Sequence, residues 1–574
     1  MGGLGTNKEI YTIKYHPTIP NLVFIGTRVG LYRSDDNLLT WTVPVAAYDF
    51  IDVAFHPTNP MIVYATAKDI ANRLYVSTDG GVTFTYTTLT GNSGAKVKLS
   101  VSTDCEDCIY AASGSGVYLS TDNGLNFNII SVPPTSADGF SVNDLDTSIV
   151  LIGALDAFVS TDGGINFDQK TYWSLGNTNA GGGDFDVSYL FSTDYIHADL
   201  RGAGCVNGVF YLNTDGFLVK SIDNGNNWEI ISEGTGVREN YNLGVSQSNN
   251  YRTICGSQDN GTSIKVENDW IEFFGADGME GLIHPLNDDW MLGSYQYGGR
   301  LRTQDGGQSQ EYVTPPNQNG YWIAPMFYDP NDQMTVYSLG EKVFRSDDFG
   351  SSWTELGTPL FSGEIKFATI AENNSDIIVV ARNQYIYKSI DGGATFFNIK
   401  NNLPSNSITD VVFDPKNDSV IVVTYGQYQN SSNKVFITTN GGDSWSNITY
   451  NLNYLPCLSV VIDHTDSSNI YIGSEIGVYT KSKNGTSWIL YNPDLPNVAI
   501  KELEIMWGTN TLRAASWGRG LLEYSLVGRK SFPVIIKTNI SDEVTEITPK
   551  EDVEQYVTAE IQYDNPLTDV FVKW

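Results

Sequence analysis

A short motif returns along this chain too regularly for anything but a repeat architecture. The stretch Ser77-Thr78-Asp79-Gly80-Gly81-Val82-Thr83-Phe84 is echoed at Ser120 to Phe127 and at Ser160 to Phe167. Ser221, Asp223, Gly225 and Trp228 repeat it, as do Ser346, Asp348, Gly350 and Trp353, and then Ser389, Asp391, Gly393 and Phe396. Weaker copies carry Leu38 for the glycine after Asp36, lack the aromatic after Asp305, replace the aspartate with Asn440, or place Lys483 there. Most steps between copies are about 43 residues, and a degenerate unit around Trp270 fills the one double step.

Before each copy runs a strand pair of alternating apolar residues, such as residues 21–26 and 30–33, matched by 470–473 and 477–479. Upstream of the pair sits a His-Pro or Asp-Pro turn, as at His16-Pro17, His56-Pro57, His284-Pro285, Asp329-Pro330 and Asp414-Pro415. One unit therefore reads as four short strands, which is one propeller blade. Within the motif the Asp and Ser side chains are expected to accept backbone N–H groups of a tight turn, the glycine to take positive φ, and the aromatic to fill the space between blades. Asp36, Asp79, Asp122, Asp162, Asp223, Asp305, Asp348 and Asp391 are accordingly read as structural.

The pattern Ser/Thr-x-Asp-x-Gly-x-x-Trp/Phe resembles the Asp-box, or bacterial neuraminidase repeat, of sialidases, sortilin and the two-propeller xyloglucan-active glycoside hydrolases. The resemblance covers nearly all of residues 1–528 and implies an all-β fold of tandem β-propellers with about twelve four-stranded blades. The expected division is a first propeller over 1–275 and a second over 276–528, separate from the first or interlocked with it. A single ten-bladed ring, as in sortilin, is the alternative. Residues 517–524 read as the last inner strands, expected to pair with the N-terminal strand from Ile10 to Tyr15. Residues 529–574 lose the boxes and resemble the opening strands of an immunoglobulin-like module common after such propellers in secreted proteins of Bacteroidota. The native protein is expected to continue beyond Trp574.

Composition narrows the function classes. A formal net charge of −32 repels phosphate backbones and anionic lipid, so nucleic acid is excluded as a partner. No run of apolar residues is long enough for a membrane-spanning helix, so no membrane insertion is expected. The start Met1-Gly2-Gly3-Leu4-Gly5 has neither the basic nor the apolar region of a signal peptide and reads as a mature piece of a secreted or cell-surface protein. Of five cysteines, Cys105 and Cys108 are spaced for a small local bridge, while Cys205, Cys255 and Cys457 stand apart. No zinc ligand set and no calcium loop is present in the pattern, so neither metal nor cofactor is expected.

In the xyloglucanase-like family a catalytic carboxylate lies in the first blade, and Arg28 stands at that place here, where it cannot act as a base. The resemblance thus argues against that activity in its usual form. Should the chain hydrolyse glycosides, Asp215 and Asp259, both in inter-strand turns, are the pair chosen as acid and base in a cleft between the rings. Asp277 and Glu280 follow in a similar turn. Trp173, Tyr295, Tyr297, Trp322 and Glu280 are the candidate ligand-binding residues, since flat aromatic faces suit sugar rings or anchor a protein partner. The unit containing Trp173 is the longest, and its Gly181-Gly182-Gly183-Asp184 run reads as a functional loop. Arg201, Arg238, Arg252, Arg300 and Arg302 group loosely in sequence, as a sialidase-like arginine cluster would, but the accompanying Arg-Ile-Pro element is missing. The expectation is a binding propeller for a polysaccharide or an extracellular protein, the head of a longer adhesin-like molecule. A polysaccharide-active glycoside hydrolase is the alternative.

Overall fold

A computed structural model describes residues 9–177 and 194–527, apart from 71, 94–95, 233, 248, 267–268, 358–362, 429–431, 453, 466–467 and 492–495, together with strands Val534–Ile540 and Val557–Gln562. The described strands form eleven four-stranded antiparallel sheets and one three-stranded sheet in sequence order, each a blade, plus the pair Val534–Ile540 and Val557–Gln562. The remainder of the expected immunoglobulin-like module, and the glycine-rich run at 181–184, lie outside the described residues. The blades span residues 10–46, 50–88, 98–131, 139–169, 202–230, 240–274, 278–312, 326–355, 367–398, 408–447, 457–490 and 500–525, and are numbered 1 to 12.

The chain divides into two compact units, one drawn from residues up to Gly234 and one from Thr235 onward. Blade 6 (240–274) thus groups with the second unit, so the observed division falls one blade earlier than the expected 275/276. The first unit contains blades 1 to 5, with inner strands packed side by side in chain order. The second is a ring of seven. Inner strands Asn240–Val245, Gly278–Ile283, Met326–Asp329, Phe367–Ala371, Ile408–Asp414, Cys457–Ile462 and Ile500–Met506 pack each against the next, and the last against the first. A ring that closes on itself with seven blades replaces the ten-bladed alternative. The N-terminal strand Ile10–Tyr15 pairs with Val23–Thr27 inside its own blade rather than with residues 517–524. Blade 12 instead closes on blade 6 through the bridge between Trp517 and Glu239. In every blade the first strand pairs with the strand that follows it in the chain, so the partner of Ile10–Tyr15 is set locally.

The box aspartates build the same turn wherever they occur. In blade 2, Ser77 Oγ donates to Asp79 Oδ1 (2.7 Å), Gly81 N donates to Ser77 Oγ (2.8 Å), and Val82 N and Thr83 N donate to Asp79 Oδ1. Thr83 Oγ1 donates to the second carboxylate oxygen (2.6 Å). The hydroxyl two residues before and the N–H four residues after make the same two bonds to Asp36, Asp122, Asp162, Asp223, Asp305, Asp348 and Asp391. These donors hold the Asp36, Asp79 and Asp162 carboxyls down at about 2. Gly81 has φ 79°, and a Cβ there would meet the Phe24 ring at 2.2 Å, so the position admits only glycine. In blade 1, Leu38 occupies the corresponding place with φ 73°.

The box tryptophans stitch blades together. Trp353, Trp445 and Trp488 donate their indole N–H to Val313 O (2.6 Å), Ile399 O (2.9 Å) and Ile448 O (2.9 Å) of the preceding unit. Where Lys483 replaces the box aspartate, its ammonium pairs with the buried carboxylate of Asp414 in the Asp-Pro turn one blade back. The lost turn acceptor is thereby exchanged for an ion pair between blades. Cys105 and Cys108 form the local disulfide. Among the described residues no helix is long and apolar enough to cross a membrane.

Candidate binding site on the second unit

The inner strands of the second ring alternate between core and channel. In Ile500–Met506, Ile500, Leu503 and Ile505 enter the apolar core, while Glu502 and Glu504 are half-buried against the central cavity. In Ile408–Asp414, Ile408, Val411 and Phe413 are core and Asp410 faces inward. A bulge near the start of these strands, at Asn240/Asn242, Gly278/Gly281, Ile408/Asp410 and Ile500/Glu502, re-aims a residue within or at the end of it. Asn242, Glu280, Asp410 and Glu502 reach the channel in this way. The cavity has a volume of about 450 Å³, and its wall carries the carboxylates of Glu280, Glu372, Asp410, Glu502 and Glu504 together with Lys366 and Lys501.

Burial sets the protonation of this wall. Removal from water pushes the carboxyls of Glu280 and Glu504 up to about 8 and that of Glu372 to about 7. Asp410 and Glu502, which act on each other, are raised for the same reason. The Arg300 guanidinium and a hydrogen bond from Asn242 Nδ2 (2.8 Å) oppose the rise at Glu280. Arg300 is itself buried, donating to Ser338 Oγ (2.9 Å), Ala324 O (2.8 Å) and Pro325 O (3.0 Å).

Loops of blades 6 and 7 and the segment before blade 8 form a polar and aromatic patch beside Tyr241, a channel-lining residue. Trp322 Nε1 donates to Tyr241 Oη (3.1 Å), and that hydroxyl donates to Gln258 Oε1. Gln258 Nε2 donates to Asp277 Oδ1 and Asp259 Oδ1, both at 2.8 Å, and Asp259 N donates to Asp277 Oδ1 (2.9 Å). The Tyr297 ring meets Trp322 edge-on at 5.3 Å and is 58% exposed, with φ 62°. Tyr241 packs at 4.9 Å against Trp517, over whose ring Lys501 Nζ lies at 4.8 Å. Two aromatic rings, two carboxylates and a primary amide thus share one network of mixed apolar and hydrogen-bonding character.

The structure brings together some of the residues expected from the sequence. Tyr297 and Trp322 are brought together, with Asp259 and Asp277 in the same network. Tyr295 instead packs at 5.3 Å against Phe274, and a Cβ at Gly299 would strike its ring. Glu280 lines the channel. Asp215 lies in the first unit, gripped by both arms of Arg201, and Asp259 lies in the second. Trp173 also lies in the first unit, its backbone N–H donating to Asp156 Oδ1 (2.8 Å). The arginines considered as a cluster hold separate partners: Asp215 for Arg201, Asn260 O for Arg238, Asp289 for Arg252, and Glu311 for Arg302. Among the described residues no group of three His, Cys, Asp or Glu is arranged to hold a metal ion.

Sequence reasoning missed Glu372, Asp410, Glu502 and Glu504. The signal was present as ionisable residues alternating with Leu, Ile and Val in strands otherwise read as buried, as in Ile500-Lys501-Glu502-Leu503-Glu504-Ile505.

Comparison with known proteins agrees with this architecture. The family profile Sortilin-Vps10, described as sortilin, neurotensin receptor 3, matches residues 341–491. The solved GH74 xyloglucanase from Xanthomonas campestris superposes with TM-score 0.60 at 14% identity, covering 89% of this chain and 82% of that one. An ancestral GH74 enzyme gives TM-score 0.61 at 15% identity, covering 93% of each. No curated protein sequence matches significantly. At these identities the likeness is one of fold.

Proposed function

We infer that this chain, a tandem β-propeller protein of the sortilin- and xyloglucanase-like Asp-box superfamily, binds a neutral polysaccharide on the patch formed by Tyr241, Gln258, Asp277, Tyr297 and Trp322. The observation that carries this reading is the exposed Tyr297 ring set edge-on against Trp322 over a network of amide and carboxylate acceptors. Aromatic faces take the C–H face of a sugar ring, and fixed acceptors take its hydroxyls. A neutral chain is favoured because the net charge of −32 repels an anionic one. The Cys105–Cys108 disulfide suits an oxidising location, at the cell surface or in the medium, where an adhesin-like head would meet such a ligand.

Hydrolysis is the second reading, supported by the fold shared with two GH74 enzymes. It requires an acid and a base placed for glycoside chemistry. Against it stand Arg28 at the family's carboxylate position and the two-armed grip of Arg201 on Asp215. The test is electrophoresis of the purified chain through gels containing soluble plant or algal polysaccharides, with reducing-end release assayed in parallel. Retardation without release supports binding. Release abolished in both Asp215→Ala and Asp259→Ala replaces it with hydrolysis, and neither effect removes the polysaccharide reading in favour of a protein partner.

A further inference from the structure

We propose that the first unit docks a cationic protein segment bearing apolar side chains, on the face formed by its box turns. The turns and their side chains all belong to that unit, so the site does not rest on the sugar reading of the second.

Four consecutive boxes share a departure from the rest. The residue after the glycine position is Leu39, Val82, Leu125 and Ile165 in blades 1 to 4, but Asn226, Gln308, Ser351, Ala394, Asp443 and Thr486 in the boxes that follow. The four aliphatic side chains are 56% to 71% exposed. Each stands on a fixed base, because its box is tied back to the first turn of its own blade. Asn37 N donates to Asn21 O (3.2 Å), Gly80 N to Met61 O (2.8 Å), Asn123 N to Asp107 O (3.0 Å) and Gly163 N to Ser148 O (2.8 Å). Those first turns are in turn bonded from blade to blade. His16 Nε2 meets Pro60 O (2.9 Å), Thr58 Oγ1 donates to Glu106 Oε2 (3.0 Å), Thr147 N donates to Asp104 Oδ2 (3.0 Å), and Gly208 N donates to Asp144 Oδ1 (2.8 Å). The turns of blades 1 to 5 therefore make one continuous face, with the Cys105–Cys108 disulfide closing its middle turn. Exposed Met61, beside Gly80, and Leu145, beside Gly208, add to its apolar area.

The charge of this face names the partner. The turns at 16–22, 34–41, 56–62, 77–84, 102–108, 120–127, 143–149, 160–167, 205–208 and 221–228 carry eleven Asp and Glu residues and no Lys or Arg. Arg33 and Lys220, on strands leading into two of the boxes, are already paired with Asp35 and Glu229. Aliphatic groups set among negative charges fit a segment in which lysine or arginine alternates with apolar side chains. The aliphatic groups leave water together, and each cation meets a carboxylate. A second copy of the same face brings like charge and is repelled. Because the turns are fixed before contact, docking costs the face little conformational freedom.

The experiment is fluorescence anisotropy of a labelled peptide of alternating leucine and lysine titrated with the full chain, against a serine–lysine peptide of equal length and charge. The leucine peptide should bind at least about tenfold more tightly. The fourfold substitution Leu39→Ser/Val82→Ser/Leu125→Ser/Ile165→Ser, which keeps every charge, should abolish that preference. Leu286→Ser/Ile390→Ser, at exposed aliphatic residues of the second unit, should leave it intact. Should the fourfold variant not fold, Val82→Ser/Leu125→Ser alone should reduce the preference. Equal affinity for the two peptides, or a preference that survives the substitutions on the first unit, would overturn the proposal. Sedimentation without peptide should show a monomer; a dimer lost in the substituted protein would give the face to a second copy instead. Flotation with phosphatidylcholine vesicles that depends on the same side chains would give it to lipid, again against the proposal.

Discussion

The carboxylate of Asp410 accepts the N–H of Val460, 2.7 Å away on the inner strand of the next blade, while its other oxygen accepts Val411 N (2.7 Å). Asp52 does the same in the first unit, accepting Val53 N and Leu99 N, each at 2.9 Å. One side chain thus serves two backbone donors and ties consecutive inner strands, which share no ladder of their own. Asp52→Ala leaves both donors without that acceptor and should destabilise the first unit by about 1–3 kcal/mol. Urea unfolding with fluorescence detection checks it, and an unchanged midpoint would show that water replaces the carboxylate.

Leu38 holds a left-handed backbone that the other boxes give to glycine. Leu38→Gly should therefore stabilise blade 1, by up to about 1 kcal/mol once the entropy of glycine in the unfolded chain is set against the relieved strain. The reverse change, Gly81→Leu, should destabilise blade 2 by more, because its Cβ lands on the Phe24 ring. Thermal melting of the two proteins should move in opposite directions.

Protons act on the two kinds of carboxylate with opposite sign. The box groups Asp36, Asp79 and Asp162 titrate at about 2 when folded, below their unfolded values. Their stabilisation is present above about pH 4 and is lost as pH falls toward 2. Glu280 and Glu504 titrate at about 8 and Glu372 at about 7, above their unfolded values. Their contribution is fully present below about pH 4.5 and is lost as pH rises to 8. Calorimetry from pH 3 to 9 should show the transition of the second unit peaking in mildly acid solution and declining toward pH 8.

Arg513 is 5% exposed and donates to groups on 250–253 across the ring closure, with Glu523 as its counter-ion. Arg513→Ala strips a partner from two backbone and two side-chain acceptors and should cost the second unit about 2–3 kcal/mol while leaving the first unit unchanged. Limited proteolysis, followed by identification of which unit is cut first, distinguishes the two.

On the patch, Trp322→Ala and Tyr297→Ala should each weaken polysaccharide retardation by about tenfold, in line with the contribution of one aromatic contact. Trp173→Ala, in the other unit, should leave that retardation unchanged. Loss of retardation in Trp173→Ala with none in Trp322→Ala would move the binding site to the first unit.

The blades were legible in the sequence because each is a local object. A box turn is closed by residues within four positions of its aspartate, and strand alternation shows over a handful of residues, so Ser77, Asp79, Gly81 and Phe84 announce their turn without help from the rest of the chain. The channel was not legible in this way. Glu280, Glu372, Asp410, Glu502 and Glu504 come from four blades, and each alone reads as an exposed charge on an amphipathic strand.

The sequence by itself determined the all-β class, the blade as the unit of construction, and the aspartates that cap its turns, since short-range hydrogen bonds and side-chain periodicity settle these. Only the tertiary structure decided that blade 6 belongs with the second unit, that seven blades close a ring through Trp517 and Glu239, and that Tyr297 meets Trp322. The number of blades in a ring depends on the accumulated angle between packed sheets, and a meeting of distant side chains depends on where that ring closes. Neither quantity is written in any single repeat.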